Sequence, residues 1–296
     1  MKTYFKVAAG AIALSFFWVM LSFAQTPSFS EGQALKMIYG NYDSANKYAL
    51  WKNIPFPDKK DADGYFEEKK GFVSAIFFQP YFEDGKNKIF LLTKTIPTNI
   101  PFDCHACLPL IGATVFVNNK EQWEIEAKNQ FIMYDGEYGE LPTVKLIAVG
   151  KDKFGLSLEF EHVVVRDKEL NILILYKNSI VNAYNTVIYY ENFNDCEFSK
   201  TIQCAAYTAS IDFDKSIKGS FYSLKVKKFG TIYRYKKEKA MPIDKAMTYQ
   251  FRSGRYKSIS QIRKRLESSN IVVEKKNTGN AAFVSKDNPY SQAKGG

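Results

Sequence analysis

The chain reads as mainly β, with antiparallel sheets arranged as a sandwich or as two packed β units. A short N-terminal helix and a candidate C-terminal helix complete this expectation. Three observations predict it. Runs of β-branched and aromatic residues recur at short spacing, and the aromatic share is 16%, dominated by 24 Phe and 19 Tyr. Clusters of turn-forming residues separate the runs. No alternation of strand-like and helix-like segments points to a parallel sheet with crossover helices.

The elements follow in order. "SEGQALKMIYGNYD" starts with Ser30 and places Gln33 three residues later, a capping-box start. Ala34, Leu35, Met37 and Ile38 then give one apolar side of a short helix. The segment 53–71 is rich in Pro, Gly and charge and reads as a loop. After it come "GFVSAIFFQ", "KIFLLTKTI", "ATVFVN", "QWEIEA", "TVKLIAV", "LSLEFEHVV", "NILILY", "TVIYY" and "AAYTASIDF", all strand-like. "EDGKN", "NNKE" and "DGEYGELP" supply turns between some of them. Leu156, Leu158, Phe160, His162 and Val164 alternate with Ser157, Glu159 and Glu161, so one face is apolar and the other polar. Tyr222, Leu224 and Val226 alternate in the same way with Ser223, Lys225 and Lys227. "ISQIRKRLESS" suits a closing helix, and the last residues read as a disordered tail.

The N-terminus has the layout of a secretory leader: Lys2 and Lys6, an apolar run from Val7 to Phe23, then small residues Ser22 and Ala24 that suit cleavage after Ala24. Retention of this run as an anchor is the alternative. No later run has the ~20 apolar residues that a membrane-spanning helix requires. The expected organisation is a leader at 1–24, the N-terminal helix and loop at 25–70, a β-rich body at 71–260, and a short helix with tail at 261–296. The expected location is periplasmic or secreted.

Charge divides the body. Residues 215–276 carry 18 Lys and Arg against Glu238, Asp244, Glu267 and Glu274, whereas residues 25–214 carry 19 against 26 Asp and Glu. A basic third on an acidic body implies an anionic partner or self-complementarity. Outside the cytoplasm the anionic partner is an envelope component or an acidic protein, and nucleic acid is not expected.

Four cysteines in an exported chain favour disulfides. Cys104 and Cys107 have C-x-x-C spacing around His105. Haem attachment needs the histidine directly after the second cysteine, and Leu108 stands there. A thioredoxin-type thiolate needs a helix N-terminus, but Pro109 and the strand-like "IGATVFV" follow. A zinc site from Cys104, Cys107, Cys196 and Cys204, or with His105, meets an unusually long second spacing. Local staples, Cys104–Cys107 and Cys196–Cys204, are the expected pairing among the three that four cysteines allow.

"CHACLPLIGATVF", with "GKDKFGLSLEF" downstream, resembles a group of uncharacterised secreted bacterial proteins that carry a Cys-His-Ala-Cys box ahead of a small-residue strand. The resemblance spans residues 70–257. It implies an exported bacterial protein and transfers no catalytic residues.

Other chemistry is sparse. His162 on an apolar strand face reads as a core histidine bonded to a neighbour, and no G-x-S-x-G accompanies the two histidines. "KKDADGYFEEKK" places Asp61, Asp63 and Gly64 as in a calcium loop, but Lys59 and Lys70 occupy positions that require carboxylates. Glu159/Glu161 and Asp212/Asp214 are pairs that a carboxylate-dependent hydrolase uses, at a separation only a fold can set. The most credible binding surface is basic and aromatic: Lys225, Lys227, Lys228, Tyr233, Arg234, Tyr235, Arg252, Arg255 and Tyr256, with Tyr249 beside them. An ordinary hairpin with Lys on its wet face accounts for the same pattern. The sequence therefore predicts a non-catalytic binding or interaction protein without a cofactor. Its alternatives are a thiol-disulfide or metal-binding protein centred on Cys104 and Cys107, or a hydrolase.

Overall fold

A computed structural model describes residues 29–55, 69–99, 108–136, 141–162, 166–199, 201–216, 219–234 and 238–261. The leader, the 56–68 loop, the Cys-His-Ala-Cys box with Cys104, His105 and Cys107, Tyr235, and most of the closing helix lie outside these residues.

Helix α1, Glu31–Tyr39, forms where the capping box predicts it. The Ser30 hydroxyl accepts from Gln33 N at 3.3 Å, and the Gln33 amide oxygen accepts from Ser30 N at 2.8 Å. Gly40 ends the helix at φ 82°, donating to the Lys36 carbonyl. Ala34 and Leu35 are buried, while Met37, expected on the same apolar side, is exposed.

The strands form two antiparallel sheets, each a simple meander in chain order. The first holds β1 Ala49–Lys52, β2 Lys70–Glu83, β3 Lys86–Pro97, β4 Leu110–Asn119 and β5 Gln122–Tyr134. The second holds β6 Thr143–Gly150, β7 Lys153–His162, β8 Asp167–Tyr176, β9 Ser179–Glu191, β10 Ala206–Asp214, β11 Ser223–Arg234, β12 Lys239–Arg252 and β13 Arg255–Ser258. A second helix, α2 Phe193–Phe198, interrupts the path from β9 to β10. Tight turns drive the meander. Asp84-Gly85, Lys120-Glu121, Lys177-Asn178 and Ser253-Gly254 all have positive φ at both central residues, the twist that two-residue hairpins require. None of the described helices is long and apolar enough to cross a membrane.

Packing explains the composition. Phe90, Leu92, Ile111, Ala113 and Val115 of the first sheet meet Leu156, Leu158, Phe160, Leu173 and Ile180 of the second. On the other face of the first sheet, α1 and Phe29 cover Ile89, Leu91, Leu110 and Phe116. Strands β3 and β4 are thus buried on both faces, which is why they read as continuous apolar runs. The second sheet coils back on itself, with Val149, Ile172, Ile174, Tyr184, Leu224, Val226 and Tyr256 in one core. Tyr222 N donates to the Val149 carbonyl at 2.8 Å and joins the two arms of the coil. Close approach there excludes a side chain at Gly150, where a Cβ would lie 2.0 Å from the Ser220 carbonyl oxygen. Ser157 and Ser223, expected on wet faces, are buried, whereas Glu161 and Lys227 further along the same faces are exposed.

Candidate functional site

Two polar clusters hold the sheets together at the two ends of β7. At the start of β7, Lys88 Nζ lies 2.8 Å from Glu83 and 2.9 Å from Glu126. Glu83 also accepts from Phe154 N at 2.9 Å, which links the first sheet to β7. Burial opposes the Lys88 charge, but the two carboxylates hold its pKa above the ordinary lysine value. Neither the lysine nor its two partners stood out in the sequence, because the triad assembles from β2, β3 and β5.

At the end of β7, the alternation that buries Leu156, Leu158 and Phe160 carries His162 to the rim of the core. Its Nδ1 lies 2.7 Å from Asp167 Oδ1 and its Nε2 lies 2.9 Å from Asp135 Oδ1. Burial disfavours the imidazolium, yet hydrogen bonds and charge from both aspartates outweigh it and raise the pKa. Beside it opens a hollow of about 530 Å³ whose charges are paired among themselves. Arg166 meets Glu191 at 3.0 Å, Lys168 meets Glu161 at 2.8 Å, and Tyr189 donates to Glu191. Both imidazole nitrogens face carboxylates, so neither is turned to the hollow as a general base must be. The expectation of a bonded histidine holds; the structure adds that its partners are two carboxylates at a half-buried rim.

Of the other expected carboxylates, Glu159, Glu161 and Asp214 have cation partners, and Asp212 is exposed. Glu159 lies 3.7 Å from Lys145 and Glu161 is the Lys168 partner. Asp214 meets Lys225 at 2.9 Å, and hydrogen bonds from Ser216 and Lys225 lower its pKa to about 2. Among the described residues no cluster of His, Cys, Asp and Glu is arranged to hold a metal.

The basic strands β11 and β12 separate the expected surface residues into core and rim. Tyr233 and Tyr256 are buried, which corrects the expectation that they stack on a ligand. Tyr256 packs among Tyr184, Phe213 and Phe251 and donates to the Tyr222 carbonyl. Lys225 is taken up by Asp214. Exposed with Lys225 are Lys227, Arg234, Arg252 and Arg255, with Lys239 and Lys245 in addition. Lys228 stands directly opposite Lys245 across the β11–β12 ladder, an unfavourable juxtaposition of like charges. Its ammonium sits 5.2 Å from the centre of the Tyr207 ring, which stacks on Tyr190. Burial, and then Lys245, push the Lys228 pKa down. Among the described residues neither lysine has a carboxylate partner.

No family model, curated protein or solved structure matches the chain. Its chemistry is therefore read from its own residues.

The His162 cluster and the Tyr207 ring beneath Lys228 lie in one neighbourhood. The register runs from His162 to Asp167, Tyr190, Tyr207 and Gly230, stepping from β7 to β11. Burial raises the Tyr207 pKa and Asp167 adds to the rise, while Arg234 works against it. The Cys196–Cys204 disulfide stands at the same end, as the pairing by proximity anticipates. Sequence reading missed α2, where Phe198 is 90% exposed and Phe193 37% exposed. Solvent exposure of a single ring leaves no periodic signal.

Proposed function

We propose that this chain is an exported, non-catalytic binding protein whose β11–β12 surface engages an anionic partner. The observation that carries the reading is the Lys228–Lys245 pair, two cations in direct register without a carboxylate between them among the described residues. A neighbouring Asp or Glu would stabilise a hairpin standing alone, and an anionic partner supplies that charge from outside. The paired hollow at His162 supports a non-catalytic role, since it holds no free acid, base or nucleophile among its lining charges. Export is supported by the leader-like residues 1–24 and by the Cys196–Cys204 disulfide, which belongs to an oxidising compartment.

Dextran sulfate, a soluble polyanion, tests the reading in a titration against rising NaCl. Affinity should fall steeply with salt, because exposed charges are screened. A Lys228→Glu/Lys245→Glu variant should lose most of the binding, and a Lys52→Glu/Lys128→Glu variant, which changes net charge equally on the first sheet, should keep it. Salt-independent binding, or equal loss in the two variants, sinks the proposal.

A further inference from the structure

We infer that the Cys196–Cys204 loop, through Phe198 and Phe193, and the exposed Arg234–Lys239 pair of β11 and β12 form a docking edge for the surface of an anionic phospholipid bilayer. This rests on the anion-binding reading above and names its partner.

The loop presents an apolar ring on a rigid support. Phe198 is 90% exposed at the end of α2, and Phe193, at its start, is 37% exposed. Exposure on this scale usually belongs to slack chain, but this loop is braced at several points. The disulfide joins Cys196 to Cys204. Buried Asn192 closes the base: its N–H donates to the Ala205 carbonyl, its side-chain oxygen accepts from Ala205 N at 2.6 Å, and its amide donates to the Gln203 carbonyl at 3.2 Å. Directly after Phe198, the Ser199 hydroxyl accepts from Thr201 N and Ile202 N, fixing the turn. The ring is thus held in water by construction, with part of its ordering cost already met by the fold.

Cations stand beside it. Ala240 N donates to the Gln203 side-chain oxygen at 2.8 Å, which seats the start of β12 against the loop. Lys239, the preceding residue, pairs with Arg234 across the hairpin, and both are exposed. An exposed aromatic on a loop that adjoins exposed Lys and Arg matches a bilayer interface, where the ring enters the headgroup–acyl boundary and the cations meet phosphate. A folded protein partner fits less well. A stable protein interface takes roughly 800 Å² from each side with shape complementarity, whereas the exposed large apolar side chains described in this loop are the Phe193 and Phe198 rings. A fluid bilayer accepts a single ring without a matching pocket.

The test uses the oxidised full chain and sedimentation with vesicles of phosphatidylcholine, with and without phosphatidylglycerol. Binding should require phosphatidylglycerol. Phe198→Ser should weaken it at least about tenfold, the scale expected for losing a buried aromatic side chain. Phe82→Ser, at a 62% exposed ring on the β2–β3 hairpin, should leave it unchanged. Arg234→Glu/Lys239→Glu should weaken it, and the tryptophan of a Phe198→Trp variant should shift its emission to the blue when vesicles are added. Equal effects of Phe198→Ser and Phe82→Ser, or no emission shift, overturn the inference. Binding to dextran sulfate without binding to vesicles overturns the bilayer as partner and leaves the anion-binding reading standing. Binding to neither removes both.

Discussion

His162 Nε2 lies 2.9 Å from Asp135 Oδ1, so a ring on the second sheet grips the residue that leads the chain out of the first. With Asp167 on its other nitrogen, the ring can satisfy both carboxylates only as imidazolium. Neutral imidazole donates one hydrogen bond and turns a lone pair toward the other aspartate.

A pH dependence of stability follows from the raised His162 pKa. The folded state binds the proton more tightly than the unfolded chain, whose histidine titrates near about 6.5. The contribution is therefore complete below that value and is lost as pH rises through the higher folded value. Urea unfolding of the oxidised protein should show a midpoint that declines across this window. His162→Gln should flatten that decline; an unchanged slope in the variant would assign it to other groups.

Lys88 gives the sharpest expected loss of stability. The side chain is 3% exposed and faces Glu83, itself 4% exposed, as well as Glu126. Lys88→Met leaves two carboxylates facing each other without a cation, at a cost of about 3–5 kcal/mol. The triple change Lys88→Met, Glu83→Gln, Glu126→Gln should recover a substantial part, because it removes the uncompensated charge. Denaturant midpoints for the two proteins decide this.

Gly230 has φ 125°, and a Cβ there would lie 2.4 Å from the Ala206 carbonyl oxygen. Backbone strain and contact together should make Gly230→Ala cost about 1–3 kcal/mol. Thermal unfolding measures it; a neutral result would mean that β10 and β11 can separate without loss.

The Cys196–Cys204 bond closes a short loop. Replacing both cysteines by Ala should cost about 2.6 kcal/mol in the chain-entropy account. Intact-mass spectrometry with alkylation, before and after reduction, tests the bond directly, with Cys196 and Cys204 labelled only after reduction.

Residue pattern alone determined the α1 capping box, the strand character of most elements and the antiparallel class. Each depends on neighbours a few residues apart, as with Ser30 and Gln33 or Leu156, Leu158 and Phe160. The short edge strands β1 and β13 and the helix α2 left no such pattern. The local disulfide was also legible, because its partners are close in the chain. Tertiary structure decided the rest. It buried Tyr233 and Tyr256, which in sequence are indistinguishable from surface tyrosines in a basic hairpin. Asp135 came to His162 from 27 residues away, and Glu126 came to Lys88 from 38 away. It also left Phe198 in water. Strand periodicity reports which side of a strand a residue occupies, while burial and charge pairing depend on what the second layer places against that side.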